Sequence, residues 1–257
     1  MSIGAGSLEY AQARLAARYG ARPDELAWRR IELLRAFPAV VDAARTSALR
    51  PWMGGIGLLS TTHDIERVLR GHWRDLVEEV GRWMPVAWVP AVRWCATLVD
   101  LPVVQHLARG GAMLPWMRED GVYAELAERE SAGFGAAPAG GTLAPLSAAW
   151  ADPDDIGALW LAEWRRRSSH AGGGDPALRE AFVQALRLHF AAFRDPSVRD
   201  GWTLRRALQA RLALLFRRAT ADPVAAFIFL ALMALDLERL RAELLRRAAF
   251  PGLLFAA

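Results

Sequence analysis

The fold depends on residues 222–250, DPVAAFIFLALMALDLERLRAELLRRAAF. Asp222 before Pro223 predicts a helix start, because a carboxylate accepts hydrogen bonds from free N–H groups and proline loses nothing at the first helical position. All thirteen residues of 223–235 are apolar, so this half of the helix must be covered on every side. Thirteen residues are too few to cross a bilayer, which needs about 20.

The second half of the same helix changes character. Its apolar residues recur at helical spacing and its charged residues fall elsewhere, which predicts one solvated face. The apolar positions are Leu237, Leu240, Leu244 and Leu245, and the charged ones are Asp236, Glu238, Arg239, Arg241, Glu243, Arg246 and Arg247. The whole stretch therefore predicts the central helix of an α-helical bundle.

The rest of the chain also predicts helices. An apolar stripe with a period near 3.6 follows the capping pair Thr61 and Asp64 and ends at Pro85. The stripe consists of Ile65, Leu69, Trp73, Leu76, Val80 and Trp83. Asp-Pro pairs begin at Asp152, Asp175, Asp195 and Asp222 and predict helices at about 153–167, 176–193, 202–218 and 223–249. Shorter helices are predicted at 8–19, 24–37, 40–45, 90–98, 102–109 and 123–131.

No stretch alternates apolar and polar residues as a strand does, so the fold class predicted is all-α, a multi-helix bundle. We expect an N-terminal helical segment at 1–131 and a C-terminal one at 146–257, packed on the first. Between them, 132–145 is rich in Gly, Ala and Pro and predicts a flexible loop, as does 168–174.

Composition sets broad limits on function. The chain has 257 residues, a formal charge of +4 and a single cysteine, Cys95, so it has no disulfide framework and a reducing compartment is expected. The N-terminus lacks the pattern of a signal peptide, which favours a cytoplasmic location. All 32 basic residues are arginine, which a GC-rich genome explains. The arginine pairs lie on many helices among acidic residues, so solvated ion pairs explain them better than nucleic-acid binding.

Motifs for catalysis are missing from the sequence. It contains no nucleophile elbow, phosphate loop or dinucleotide fingerprint, which favours a non-enzymatic protein without a cofactor. His63 with Glu66, and His72 with Asp75, each share a helix face as metal ligands do, but no other helix supplies a matching pair. A metal-dependent helical enzyme is therefore an alternative, and solvated helix faces are the preferred interpretation. Cys95 is expected in the core.

The tryptophans between 73 and 94 suggest contact with a membrane surface as one alternative. They fall on the same stripe as the core leucines, so burial is the preferred interpretation.

The two ends of the chain carry a family resemblance. Tyr10-Ala-Gln-Ala-Arg14-Leu resembles the opening helix of the C/d family of central-stalk subunits in A-type and V-type rotary ATPases. The close is similar too, with Pro223, Ala226-Phe227, the acidic Asp236, Leu240-Arg241 and a Phe-Pro-Gly turn at 250–252. Between them, 64–70 resembles the family's helix after its early connector. Asp100 is followed here by Leu-Pro, where the family usually has Asn-Leu-Lys, and the chain is shorter than is usual for the family.

The resemblance implies a non-catalytic adaptor with a funnel of helical segments. Such a protein sits between the membrane's proteolipid ring and the central shaft, and it couples proton or sodium transport to ATP turnover. It touches the membrane only through the complex. Tyr10, Arg14, Phe227 and Arg241 match family positions and are the candidate partner-binding residues. Core packing and helix pairing are the alternative for these residues. A free-standing all-α scaffold or assembly factor is the alternative function.

Overall fold

The computed structural model describes residues 7–131, 137–195 and 200–250, and within these ranges the chain forms helices and no strand. The all-α prediction is confirmed. The α-helices of the described ranges are α1 Leu8–Gly20, α2 Glu25–Leu33, α3 Phe37–Arg45, α4 Thr62–Trp83, α5 Val89–Trp94, α6 Leu101–Ala108, α7 Pro115–Glu119, α8 Ala124–Ser131, α9 Ile156–Ser169, α10 Pro176–Phe193, α11 Gly201–Arg218 and α12 Val224–Ala249. Short 3-10 turns lie at Arg50–Trp52, Val86–Trp88, Cys95–Asp100, Gly121–Tyr123, Ala144–Trp150 and Pro153–Asp155.

Helix α12 is the centre of the bundle. It packs against α1, α3 and α4 from the first part of the chain and against α10 and α11 from the second. Every residue of 224–230 is buried, as the apolar run predicts. The prediction of cover on every side is wrong for four residues, Ala231, Met233, Ala234 and Leu235, which are only half-buried. One groove runs along Ala231, Ala234 and Leu235, and Met233 lines another.

Asp222 caps the start of α12, as predicted. Its carboxylate accepts a hydrogen bond from the N–H of Val224 at 2.8 Å and a second from the N–H of Asp175 at 2.6 Å. Asp175 itself caps α10, where it accepts from the N–H of Ala177 at 2.8 Å. A single carboxylate therefore fixes the starts of α10 and α12 side by side.

The prediction of a solvated charged face on the second half of α12 is wrong for three residues. Asp236, Arg239 and Arg247 are buried. Asp236 accepts two hydrogen bonds from the guanidinium of Arg22, at 2.6 and 3.0 Å. Because Arg22 lies in the turn between α1 and α2, this two-pronged ion pair attaches that turn to the middle of α12.

Arg239 and Arg247 attach α2 to the same helix. Arg239 pairs with Glu25 at 3.1 Å and with Glu32 at 2.6 Å, and its guanidinium lies 4.8 Å from the ring of Trp28. Arg247 donates to main-chain carbonyl groups at the end of α2. These charges are stable in the interior because each one has charged or polar partners there.

The long amphipathic helix is present as α4. Thr61 and Asp64 form the predicted capping box, with the Asp64 N–H donating to the Thr61 hydroxyl at 3.2 Å and the Thr61 N–H donating to the Asp64 carboxylate at 3.0 Å. The predicted stripe is buried except at Leu76, which is half-buried. Gly110, with a φ of 80°, follows α6 as predicted, in a conformation that favours glycine.

Several predicted boundaries are wrong. The helix predicted at 24–37 ends at Leu33, and Phe37-Pro38 begins α3 instead, because proline fits the first turn of a helix. The helix predicted through Leu98 ends at Trp94 and continues as a 3-10 turn.

The Asp-Pro pairs are less uniform than predicted. Asp152-Pro153 begins a 3-10 turn, and α9 follows it. The helix predicted at 202–218 is present as α11, and its cap is Asp200, which accepts from the N–H of Trp202 at 2.9 Å. Pro196 lies outside the described residues.

Part of the loop predicted at 132–145 lies outside the described residues, at 132–136. In the described part, the Glu125 carboxylate accepts from the N–H groups of Ala139 and Gly140, at 3.0 and 2.8 Å, so this part is attached to α8.

Candidate functional site

A groove of about 660 Å³ lies between α1 and α4. Phe229 and Met233 of α12 contribute to its lining, together with Trp52 from the 3-10 turn before α4. It holds two of the four predicted site residues, Tyr10 and Arg14. The groove has the concave shape and mixed apolar and charged lining that binding sites need.

Arg14 lies between two aromatic rings at the edge of this groove. Its guanidinium is 5.6 Å from the ring centre of Tyr10 and 5.7 Å from that of Trp83, within the range of cation–π attraction. Tyr10 and Arg14 are four residues apart on α1, so they share a helix face, and α4 supplies Trp83. Arg14 is exposed and forms no ion pair with any residue that the structure describes. Its N–H donors therefore remain available to a partner.

The groove is more basic than acidic. Arg18 pairs with Glu79 at 2.6 Å, which joins α1 to α4 across the groove. Arg82 and Asp75 are also part of the lining, and both are exposed. Nε2 of His72, another lining residue, is 2.7 Å from the carbonyl oxygen of Gly54, so this ring nitrogen already has a hydrogen-bond partner in the main chain.

The other two predicted site residues lie elsewhere. Phe227 is buried in the core, where its ring centre is 5.0 Å from that of Trp164 and 5.9 Å from that of Trp88. Arg241 is half-buried on α12 and donates from Nε to Glu66 of α4 at 2.8 Å. Core packing and helix pairing, the alternative interpretation, describe what these two side chains do in the structure. A role in partner binding stays a prediction for all four residues.

A buried charged cluster that the sequence patterns do not predict lies next to α4. Asp100 accepts from Arg74 at 2.9 Å and from the hydroxyl of Tyr123 at 2.6 Å, and Arg70 lies 3.4 Å away. Arg70 also donates to the Tyr123 hydroxyl at 2.6 Å, and Arg74 donates to Asp120 at 3.0 Å. The four-residue spacing of Arg70 and Arg74 on one face of α4 is the only sequence signal for it.

The cluster has the chemistry of a structural network. Burial, and then the charge of Asp100, raise the pKa of Tyr123 far above its ordinary value. The phenol therefore stays protonated and donates to Asp100 while it accepts from Arg70. This network joins α4 to the 3-10 turns that contain Asp100 and Tyr123. A buried hydrogen-bonded network of this kind favours one packing arrangement.

Among the described residues there is no group of three or more His, Cys, Asp or Glu side chains positioned to hold a metal ion. His63 and Glu66 remain on one face of α4, and Glu66 pairs with Arg70 and Arg241. Cys95 is buried, as predicted, and burial raises the pKa of its thiol well above the ordinary value. The thiol is therefore a poor nucleophile in the folded protein.

The tryptophans at 73, 83, 88 and 94 are buried, which confirms the interpretation that they belong to the core. By length and composition alone, the stretch Val86–Ala108 is apolar enough to cross a membrane, and 44% of its most apolar 18 residues are buried. In the fold, α5 from this stretch packs between α4 and α9.

No protein-family model, curated protein or solved structure matches this chain.

Proposed function

We propose that this chain is a non-catalytic helical adaptor that binds another protein through the α1–α4 groove. Arg14 is the observation that carries this proposal. It is exposed between the rings of Tyr10 and Trp83, and its charge has no carboxylate partner among the described residues. Arginine and large aromatic residues supply most of the binding energy in protein interfaces, so this trio has the composition of an interface centre.

The partner that fits the groove presents acidic side chains. Four arginines line the groove, against two acidic residues, Asp75 and Glu79. One of the arginines, Arg22, is already neutralised by Asp236, and Arg18 is paired with Glu79. Arg14, Arg82 and Asp75 form no ion pair among the described residues, so the lining carries a surplus of one positive charge. A carboxylate of the partner would gain a charge-assisted hydrogen bond at Arg14 or Arg82.

The specific place that we propose for this adaptor follows from the resemblance to the C/d family of rotary ATPase central-stalk proteins. In that role it lies between the proteolipid ring and the central shaft and transmits torque between them. It would be a cytoplasmic protein that is held at the membrane only through the complex. The fold suits such a role, because α12 packs on five other helices and ion pairs attach it to the α1–α2 turn and to α2. A body connected in this way deforms little under load.

Co-purification with the proteolipid ring and the central shaft tests the proposal. The tagged chain is expected to retain both, and the double variant Tyr10→Ala, Arg14→Gln is expected to weaken the binding of one of them at least tenfold. Arg30→Gln is the matched control, because Arg30 is exposed on α2 and does not line the groove. Circular dichroism shows whether each variant is folded. Equal binding by both variants would refute the role of the groove.

The alternative proposal is a free-standing all-α scaffold or assembly factor, and the genes next to this one distinguish the two. Neighbouring genes for a rotary ATPase support the adaptor, and their absence favours the scaffold. A clean monomer with no affinity for either the ring or the shaft would refute the rotary ATPase assignment.

A further inference from the structure

A second groove, of about 300 Å³, runs along α12 between the turn Cys95–Asp100 and helices α10 and α11. Its walls are mostly apolar, with Leu98 and Val99 on one side and Phe182 on another. The one acidic side chain of the lining, Glu238, is paired with Arg241 at 3.7 Å. Ala231 and Ala234 of α12 line the same space. The sequence predicts full cover for this part of α12, and along the groove that cover is incomplete.

The groove opens on a basic cleft. His189 and Arg205 line the apolar groove and also an adjoining cleft of about 650 Å³ that contains Arg109 and Arg194. Arg109 and Arg194 are neutralised by Asp154 and Asp155, respectively. The remaining positive charge, that of Arg205, therefore lies where the apolar space meets the cleft.

Arg205 is held in place and still has free donors. Its guanidinium lies 4.8 Å from the ring centre of Phe193 and 5.0 Å from that of Trp202, and Nη1 donates to the carbonyl of Gly201 at 3.3 Å. It forms no ion pair within the described part of the chain. A guanidinium has five N–H donors, so most of those of Arg205 are available for an anionic group.

We propose that this groove binds a long-chain carboxylate, with the alkyl chain along α12 and the head group on Arg205. An alkyl chain covers the exposed side of Ala231 and Ala234, and this burial is favourable because it removes apolar surface from water. A carboxylate matches the planar donors of a guanidinium at two points. The volume of the groove lies at the lower end of the range for small-molecule sites, which suits a single chain.

Titration calorimetry with dodecanoate, below the concentration at which it forms micelles, tests the proposal. One molecule is expected to bind per chain, and dodecyltrimethylammonium, with the same chain and the opposite charge, is expected to bind at least tenfold more weakly. Arg205→Gln is expected to weaken dodecanoate at least tenfold. Arg206→Gln is the matched control, because Arg206 is the adjacent arginine on α11 and pairs with Asp200 at 3.5 Å. Its affinity for dodecanoate is expected to lie within twofold of that of the parent protein.

A second variant tests the position of the alkyl chain. Ala234→Leu places a larger side chain in the groove and is expected to abolish dodecanoate binding without unfolding the protein, as checked by circular dichroism. The proposal is overturned if Arg205→Gln binds dodecanoate as the parent does, or if the cationic amphiphile binds equally well. It is also overturned if dodecanoate binds only above the concentration at which it forms micelles. The same holds if the protein binds vesicles of anionic phospholipid and not dodecanoate, which would indicate contact with a membrane surface.

Discussion

Replacing Arg247 by methionine should lower the free energy of unfolding by about 3–5 kcal/mol, whereas the same change at Arg246 should lower it by less than about 1 kcal/mol. The two arginines are neighbours on α12, and both pair with Glu243. Arg247 is buried and Arg246 is exposed. The pair of variants therefore separates the effect of a buried charge from that of a surface charge of the same type.

The magnitude follows from what Arg247 contacts at the end of α2. Its Nε donates to the carbonyl of Leu34 at 2.6 Å, and Nη2 donates to those of Glu32 at 3.1 Å and Ile31 at 3.2 Å. The carbonyl of Ile31 also accepts from the N–H of Leu34, so it keeps one donor in the variant. The loss therefore falls mainly on the carbonyls of Glu32 and Leu34. A hydrogen bond to a charged group contributes about 1.5–3 kcal/mol, which gives the expected total.

Methionine is the appropriate replacement because it fills the space of the arginine stem and adapts to irregular surroundings. The free-energy cost of a cavity is then small. The measured change reports the lost hydrogen bonds and the lost attraction between the charge of Arg247 and the carboxyl-terminal end of α2. In the Arg246→Met control, Arg247 still neutralises Glu243. A surface ion pair of the kind lost there contributes about 0.2–1 kcal/mol.

Urea unfolding followed by circular dichroism at 222 nm measures both variants. The dependence of the unfolding free energy on urea concentration should stay the same, because the surface exposed on unfolding is unchanged. Hydrogen exchange of the α2 amides should accelerate in Arg247→Met and remain slow in the control. If the two variants differ by less than about 1 kcal/mol, the conclusion that Arg247 helps Arg239 to attach α2 to α12 is wrong.

Three further predictions use other parts of the structure. Burial, and then the charge of Arg205, lower the pKa of His189 from 6.5 to about 4. Between these pH values the unfolded chain binds more protons than the folded one, so stability should fall as the pH drops from 6.5 to 4. Because His189 is only half-buried, urea unfolding at each pH should show a loss of about 1–2 kcal/mol, and His189→Gln should remove this loss. Tyr123→Phe should lower the free energy of unfolding by about 1–3 kcal/mol, because it removes the hydroxyl between Arg70 and Asp100. Tyr19→Phe, at a ring stacked on Phe216, should lower it by less than about 0.5 kcal/mol, and equal losses in urea or thermal unfolding would contradict the network. Cys95 should not react with a thiol reagent in the native protein and should react in step with unfolding in urea, because its thiol is buried with a raised pKa; rapid native labelling would contradict this burial.

The sequence predicts well the parts of the fold that depend on local pattern. The apolar run of 223–235 requires cover on all sides, and most of it is covered. The capping box at Thr61 and the stripe of α4 are likewise local, since both follow from spacings of three or four residues. The proximity of Tyr10 and Arg14 is predictable in the same way.

The buried charges of α12 could not be predicted from these patterns. A charged residue is expected in solvent unless its partner is known, and Asp236 and Arg239 have partners more than 200 residues earlier, in the turn before α2 and in α2 itself. The place of Trp83 beside Arg14 also depends on how α1 packs against α4. Such contacts arise from tertiary structure, and no window of the sequence contains them.

The position of α12 in the chain has a consequence for synthesis in the cell. Every helix that it packs against is made before it, including α1, α3 and α4. While the ribosome translates the intervening residues, the surface of these early helices that α12 covers stays exposed, and Arg22 has no carboxylate of α12 to pair with. Nascent chains that expose apolar surface for this time are substrates for chaperones and tend to aggregate. The native state is therefore reached only after translation has passed Ala249.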